Sequence, residues 1–234
     1  MYRRLLASLA LLAALPAAAA TSAPAPRPVV VELFTSEGCS SCPPADAFLS
    51  DLSQKREDLL PLAFHVTYWN NLGWKDPYSL DIATERQAAY AHRFGDGSYT
   101  PEMVVDGKVG LVGSDRSAAE MAFREAKDAG STAATVTGVR KGNAITVSVG
   151  SGVGNARVVL VGYDPQHVTP VGRGENSGRT LTESNIVRSF EPIGQWSGKA
   201  ATFTPAAPTG EKTAVLLEAP DGRIVGAARV SNEP

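Results

Sequence analysis

Val29-Val30-Val31-Glu32-Leu33-Phe34, the turn residues Thr35 to Gly38, and then Cys39-Ser40-Ser41-Cys42-Pro43-Pro44 form the stretch from which the architecture is read. A short, nearly continuous apolar run is what a strand covered on both faces requires. Past the turn, Ala45, Phe48, Leu49 and Leu52 fall at i, i+3, i+4 and i+7, one face of an amphipathic helix. A strand feeding a helix through this turn brings Cys39 to a helix N-terminus, where unpaired N–H groups and the macrodipole favour a thiolate. Such surroundings bring a thiol pKa from about 8.5 down to roughly 3.5–7.5. Cys42 is then expected to lie deeper, with Cys39 the more accessible thiol and Cys42 resolving the mixed disulfide. Prolines are costly inside a helix, so the helix is expected to start near Pro43, which weakens the dipole felt at Cys39.

Cys39 and Cys42 are the two cysteines of the 234-residue chain. Structural zinc wants four ligands, and the three histidines, His65, His92 and His167, stand isolated. Covalent haem attachment wants a histidine where Pro43 stands. A disulfide across two intervening residues closes a very small loop and stabilises little in the loop-entropy account. A redox pair is the expected reading, and a permanently oxidised pair without turnover stays open beside it.

Outward from this stretch, Leu59 to Tyr68 reads as a strand and Thr84 to Phe94 as a helix stopped by Gly95. An isolated Thr100-Pro101 enters a strand at Met103, and Asp106-Gly107 makes a hairpin turn before Lys108 to Val112. Ser117 with Glu120 reads as a capping box. Beyond Ser131 the texture becomes Thr-, Val- and Gly-rich, with about seven short strand candidates of the kind a small sandwich uses. The expected fold class is therefore an α/β thioredoxin-like domain over 27–130 followed by a small all-β sandwich-like domain over 132–232.

Residues 1–23 carry Arg3 and Arg4, an apolar run from Leu5 to Leu15, and small residues before a cleavage point, the pattern of a secretory signal. The run is about half of the roughly 20 residues a membrane-spanning helix needs. The mature chain is expected to be secreted or periplasmic, with no stable membrane anchor. Twenty-two basic against 24 acidic residues, a formal charge of −2, give no electrostatic footprint for nucleic acid.

The strand, cysteine turn and helix, with Thr100-Pro101 ahead of another strand, resemble the thioredoxin fold, whose cis-proline loop lies against the cysteine pair. More closely, Val30 to Asp46, His65 to Asp76, Tyr99 to Gly107, Gly113-Ser-Asp115, Gly174 to Leu181 and Asn185 to Arg188 resemble the DUF1223 family of secreted bacterial proteins. The resemblance runs through nearly all of the mature chain and departs at Thr67 and Asn70, where the family pattern has Asp. It implies the fold more than the reaction.

Four residues are expected to carry chemistry: Cys39, Cys42, Pro101 in a cis peptide bond beside them, and Glu32. The resemblance implies that Glu32 is a buried acid relaying a proton to the deeper thiol, displaced by one residue along its strand; a structural Glu held by an arginine is the competing reading. Thr100, Trp69 and Trp74, in an aromatic cluster with Tyr68 and Tyr78, are candidates for a substrate groove or for core packing. His65 reads as a core histidine. Arg173, Glu175, Asn176, Arg179 and Asn185 concentrate polar groups in a long loop that either reaches over the cysteines or ties itself down. The expected activity is thiol-disulfide exchange with protein or small-molecule thiols and disulfides, with no cofactor. The alternative is a non-catalytic binding protein, for a partner protein or for Cu(I) held by Cys39, Cys42 and Met103 or a histidine.

Overall fold

The apolar run at Val29 is a strand buried along its whole length, β1 (Val29–Thr35). The structure is a computed structural model describing residues 27–129 and 133–233. The expected signal at 1–23 and the expected boundary at 130–132 lie outside the described residues. After β1 come α1 (Pro43–Lys55), β2 (Leu59–His65), α2 (Asp81–Phe94), β3 (Glu102–Val105), β4 (Val109–Val112) and α3 (Arg116–Ala129). The remainder is β5 (Val136–Lys141), β6 (Ala144–Val149), β7 (Ala156–Pro170), β8 (Thr180–Trp196), β9 (Ala201–Phe203), β10 (Lys212–Glu218) and β11 (Ile224–Asn232).

Strand alternation sorts the core into faces. Val29, Val31 and Leu33 point to one side of β1 and pack with Ala45, Phe48, Leu49 and Leu52 of α1 and Ala119, Ala122 and Phe123 of α3. Val30 and Phe34 point to the other side, where Ala83 and Tyr90 of α2 close the layer. Asp115 rather than Ser117 caps α3, accepting from the Ala118 N–H at 3.0 Å.

All eleven strands join in one mixed sheet, in the order β4-β3-β1-β2-β8-β7-β10-β11-β5-β6-β9. This corrects the expected fold class of a thioredoxin-like α/β domain followed by a separate sandwich. The join is β8 beside β2, parallel, with Ala63 opposite Ile186. The core is shared as well: Val159, Val161, Val187, Phe190, Ala214 and Leu216 pack in the same cluster as Phe34, Leu62 and Phe64. The opposite face of β7 and β10, with Val158, Leu160, Val215 and Leu217, meets Ile145, Val147, Val149 and Trp196, so the far end of the sheet curls over its own middle. The sequence texture does change near Ser131, but a sheet grows by backbone pairing at its edge, which leaves no mark in side-chain composition.

Candidate functional site

β1 ends at Thr35 and the chain turns before α1. Cys39 N–H donates to the Ser36 carbonyl (3.1 Å) and Cys42 N–H to the Cys39 carbonyl (3.2 Å). Cys42 is the N-cap of α1, with Pro43 and Pro44 in the first two helical positions, where their missing N–H groups cost nothing. Cys39 and Cys42 form a disulfide, with Cα atoms 5.4 Å apart. Both cysteines are 0 % exposed, so Cys39 is no more accessible than Cys42, while Ser40 and Ser41 face solvent. The prolines also remove two N–H donors that could have faced a thiolate. The hydroxyl of Ser41 lies 3.3 Å from Cys39 Sγ.

The Thr100–Pro101 bond is cis. Ser41 Oγ donates to the Thr100 carbonyl at 3.4 Å, linking this loop to the cysteine turn. A Cβ on Gly113 would stand 3.1 Å from Pro101 Cβ and 3.3 Å from Ala45 Cβ. Pro101 therefore packs beside the first turn of α1 through a glycine that leaves room for it. Trp69 Nε1 donates to Thr100 Oγ1 (2.8 Å) and Trp74 Nε1 to Glu37 Oε2 (2.7 Å). Both half-buried indoles thus spend their donors on the walls of the turn.

Under the turn lies a polar cluster. Thr35 and His65 are register partners at the ends of β1 and β2, on the face that α1 covers. Asp46 follows Cys42 by four residues, one helical turn, and its N–H donates to the Cys42 carbonyl at 3.1 Å. Thr35 Oγ1 donates to Asp46 Oδ1 (2.7 Å), and His65 Nδ1 meets Asp76 Oδ2 (2.7 Å). Asp76 Oδ2 also accepts from Glu37 N–H at 2.9 Å. Glu183 of β8 brings Oε1 to 3.8 Å from His65 Nε2. Among the described residues, His65 Nε2, both oxygens of Glu183 and Glu37 Oε1 have no hydrogen-bond partner.

Burial decides the protonation in this cluster. Burial pushes the Asp46 carboxyl up to about 7 against the hydrogen bond from Thr35. It pushes Glu183 well above the ordinary carboxylate range, and raises Glu37. His65 is raised to about 10: burial works against its charge, but Asp76 and Glu183 outweigh that. Asp76 is held below its ordinary value despite burial, because His65 faces it. The cluster therefore sets His65, drawn towards its charged form by Asp76, against three carboxyls, Asp46, Glu183 and Glu37, that burial draws towards their neutral forms.

Glu32 takes no part in it. It lies with Val30 and Phe34 on the α2 face of β1, opposite α1, and is bound by Arg86 through Nε and Nη2 and by the Tyr90 hydroxyl at 2.8 Å. Arg86 Nη1 continues to Glu218 Oε2 at 2.7 Å. The one-residue displacement is the physical reason: a step of one along a strand moves a side chain to the other face. Glu32 is a structural acid, and Asp46 is the buried carboxyl on the cysteine side. Its signal was in the sequence, since positions 42, 46 and 49 share a helix stripe; Glu183, from a strand far along the chain, gave none.

Over the turn lies the tip of the β7–β8 hairpin. Glu175 accepts from Ser40 N–H (3.1 Å) and Ser40 Oγ (2.7 Å). Asn176, fully buried, donates through Nδ2 to the carbonyls of Glu37 and Cys39, both at 2.9 Å. Gly174 lies against Trp74, with a Cβ there 3.1 Å from Trp74 Cβ. Arg179 Nη1 donates to Asn176 Oδ1 (3.2 Å), whereas Asn185 turns away to the Pro61 carbonyl (2.8 Å).

Met103 is buried in the core between α1, α3 and the sheet, and no group of three or more His, Cys, Asp or Glu among the described residues has metal-holding geometry. No helix among them is long and apolar enough to cross a membrane. Comparison with solved structures finds protein AGR_C_4864 from Agrobacterium tumefaciens, known from an X-ray crystal structure. It is 31% identical, with a TM-score of 0.77 over 88% of this chain and 95% of that one. HBP35 of Porphyromonas gingivalis is similar in fold, with a TM-score of 0.55 at 12% identity over 87% of this chain and 74% of that one. No curated protein matches. A family model described as a protein of unknown function (DUF1223) matches residues 30–218, and the chain belongs to that family.

Proposed function

We propose that this protein is an exported thiol-disulfide oxidoreductase working through Cys39 and Cys42 on protein or small-molecule thiols. The observation that carries the reading is the placement of Asp46: a fully buried carboxyl, raised to about 7, one helical turn past Cys42 on the same side of the sheet. A group titrating near neutrality one helical turn from a leaving thiol is suited to proton transfer. In the oxidising direction a substrate thiolate attacks Cys39 Sγ, the Cys39–Cys42 bond breaks, and Cys42 leaves as a thiolate that takes a proton from Asp46. A second substrate thiolate then attacks the substrate sulfur of the mixed disulfide. Substrate leaves as a disulfide, having lost two electrons that the cysteine pair gains, and the Cys39 thiolate is protonated from solvent. The reducing direction is the reverse.

A redox titration by thiol labelling in glutathione buffers tests this. The expected result is a two-electron midpoint in the range of about −120 to −270 mV spanned by exchange-active pairs, with turnover of glutathione disulfide. A pair still oxidised below about −300 mV and inert to exchange is a structural disulfide, and that result removes the reading.

The complete burial of both cysteines favours one second reading, a scaffold that binds a partner protein without turnover. A Cu(I) version is less well supplied, because His65 Nδ1 is engaged by Asp76 and Met103 is packed in the core. A metal assay on the titrated sample separates these outcomes.

A further inference from the structure

The β7–β8 hairpin outruns the sheet that carries it. The β10 ladder along β7 ends at Tyr163, opposite Lys212, and β8 touches β2 at Ile186. From Gln166 to Pro170 and from Thr180 to Ser184 the two strands pair with each other, with no third strand beside them among the described residues. This ribbon is an arm, and its nine-residue tip, 171–179, is what lies on the cysteine turn. At its root both strands are irregular: the register shifts between Gly162 and Tyr163, and Asn185 takes a positive φ of 52°. Such irregularities locally interrupt pairing and bend a ribbon, and a lone two-stranded ribbon is marginally stable without a surface to rest on.

The arm rests on the site. His167 stacks on Tyr78 with ring centroids 4.5 Å apart, and Glu183 points inward at His65. At the tip, Asn176 occupies two carbonyls of the turn and Glu175 holds Ser40 by two hydrogen bonds. With the arm down, the sulfur pair is covered while the two serines between them stay in solvent.

We propose that Glu175 and Asn176 determine which thiols reach the cysteine pair: the arm excludes bulky reagents and folded proteins until the tip is lifted from Ser40 and Cys39, and a small thiol enters first. This rests on the oxidoreductase reading for its biological meaning, but the access it describes is a property of the disulfide itself. Losing the two buried Asn176 bonds, each of modest net worth, makes the open state about tenfold more populated, which is about 1.4 kcal/mol. The exposed Glu175 contact shifts it severalfold.

The test is the rate of reduction of the Cys39–Cys42 disulfide in the full chain by dithiothreitol and by the bulkier tris(2-carboxyethyl)phosphine, read by thiol labelling and mass. In the first reaction two thiols close to a cyclic disulfide. In the second, the phosphine becomes its oxide with oxygen from water, which also supplies the two thiol protons. Wild type is expected to be slow and to discriminate against the phosphine. Asn176→Ala is expected to react about tenfold faster and Glu175→Ala severalfold faster, both with reduced discrimination, faster exchange of the Ser40 amide proton, and an unchanged unfolding midpoint for Glu175→Ala. If Asn176→Ala is unfolded, Glu175→Ala decides alone. Rates within twofold of wild type with unaltered discrimination overturn the proposal. Since no enzymatic turnover is measured, a wild type inert towards glutathione disulfide alongside accelerated variants removes the oxidoreductase reading and keeps the arm as a gate.

Discussion

Thr35 Oγ1 donates a 2.7 Å hydrogen bond to Asp46 Oδ1, tying the last residue of β1 to the first turn of α1 beneath the cysteine turn that joins them. The bond holds the two ends of the turn together at a carboxyl that burial lifts to about 7. In the unfolded chain that carboxyl releases its proton near 3.8. Between roughly pH 4 and 7 the folded state binds the extra proton, so stability falls as pH rises through this window. Asp46→Asn retains an acceptor for Thr35 and removes the titration. Denaturant unfolding from pH 4 to 8 is expected to show a flatter profile for the variant and a gain on the order of 4 kcal/mol at pH 8. Its exchange rate should drop most below pH 7, where wild-type Asp46 still has a proton to give to the leaving Cys42. Identical pH slopes for the two proteins would falsify the assignment of Asp46 as the titrating group.

His65 gives the opposite sign. Its pKa is raised from 6.5 to about 10, so the stability it contributes is whole below about 6.5 and is lost as pH climbs through 10. His65→Gln leaves the Asp76 carboxylate buried without its cation, and breaking such a pair costs about 3–5 kcal/mol. The difference in unfolding free energy between wild type and variant should therefore shrink between pH 7 and 10. A constant difference across that range means His65 is neutral in the folded protein.

Glu32→Gln is expected to destabilise by about 3–5 kcal/mol, because Arg86 keeps its buried charge with only Glu218 to meet it. Exchange at Cys39–Cys42 should be unchanged in the molecules that remain folded, since Glu32 faces away from α1. Calorimetry with a parallel exchange assay decides: slowed exchange in a fully folded variant places Glu32 on the proton route after all.

Ser41→Ala removes the hydroxyl 3.3 Å from Cys39 Sγ. In the reduced protein that hydroxyl can donate to a thiolate, and little else in the turn can, given Pro43 and Pro44. The Cys39 thiol pKa is expected to rise by up to about one unit, the effect of a single hydrogen bond to a charged group. Thiolate absorbance against pH reads it directly, and an unshifted titration shows the hydroxyl to be turned away.

The sequence was legible where a pattern is local. The apolar run, the stripe Ala45-Phe48-Leu49-Leu52 and the preference of Pro43 for an early helical position each follow from residues within a turn or two, and the helix starts at Pro43. Strand lengths were less so: β7 runs on through Asp164-Pro165-Gln166-His167, where polar residues interrupt the apolar pattern because the arm has one wet face. The pairing of Ala63 with Ile186 had no local signal at all, and with it went the one-sheet architecture. Glu32 shows the limit of reading by resemblance, since a shift of one position was enough to put the carboxyl on the wrong side of the sheet.

The edge that β2 offers to β8 bears on how the protein can be handled. A fragment ending near residue 129 would leave β2 with unpaired backbone groups along one side and strip Phe64 and Leu62 of the Val187 and Phe190 they pack against. Bare apolar edges of this kind recruit other chains. Expressed alone, the cysteine-bearing half is expected to aggregate, and to become soluble when the segment from 133 onward is supplied as a separate polypeptide. A soluble, monomeric N-terminal fragment with native-like circular dichroism would show instead that the second half is an accessory to a self-sufficient first.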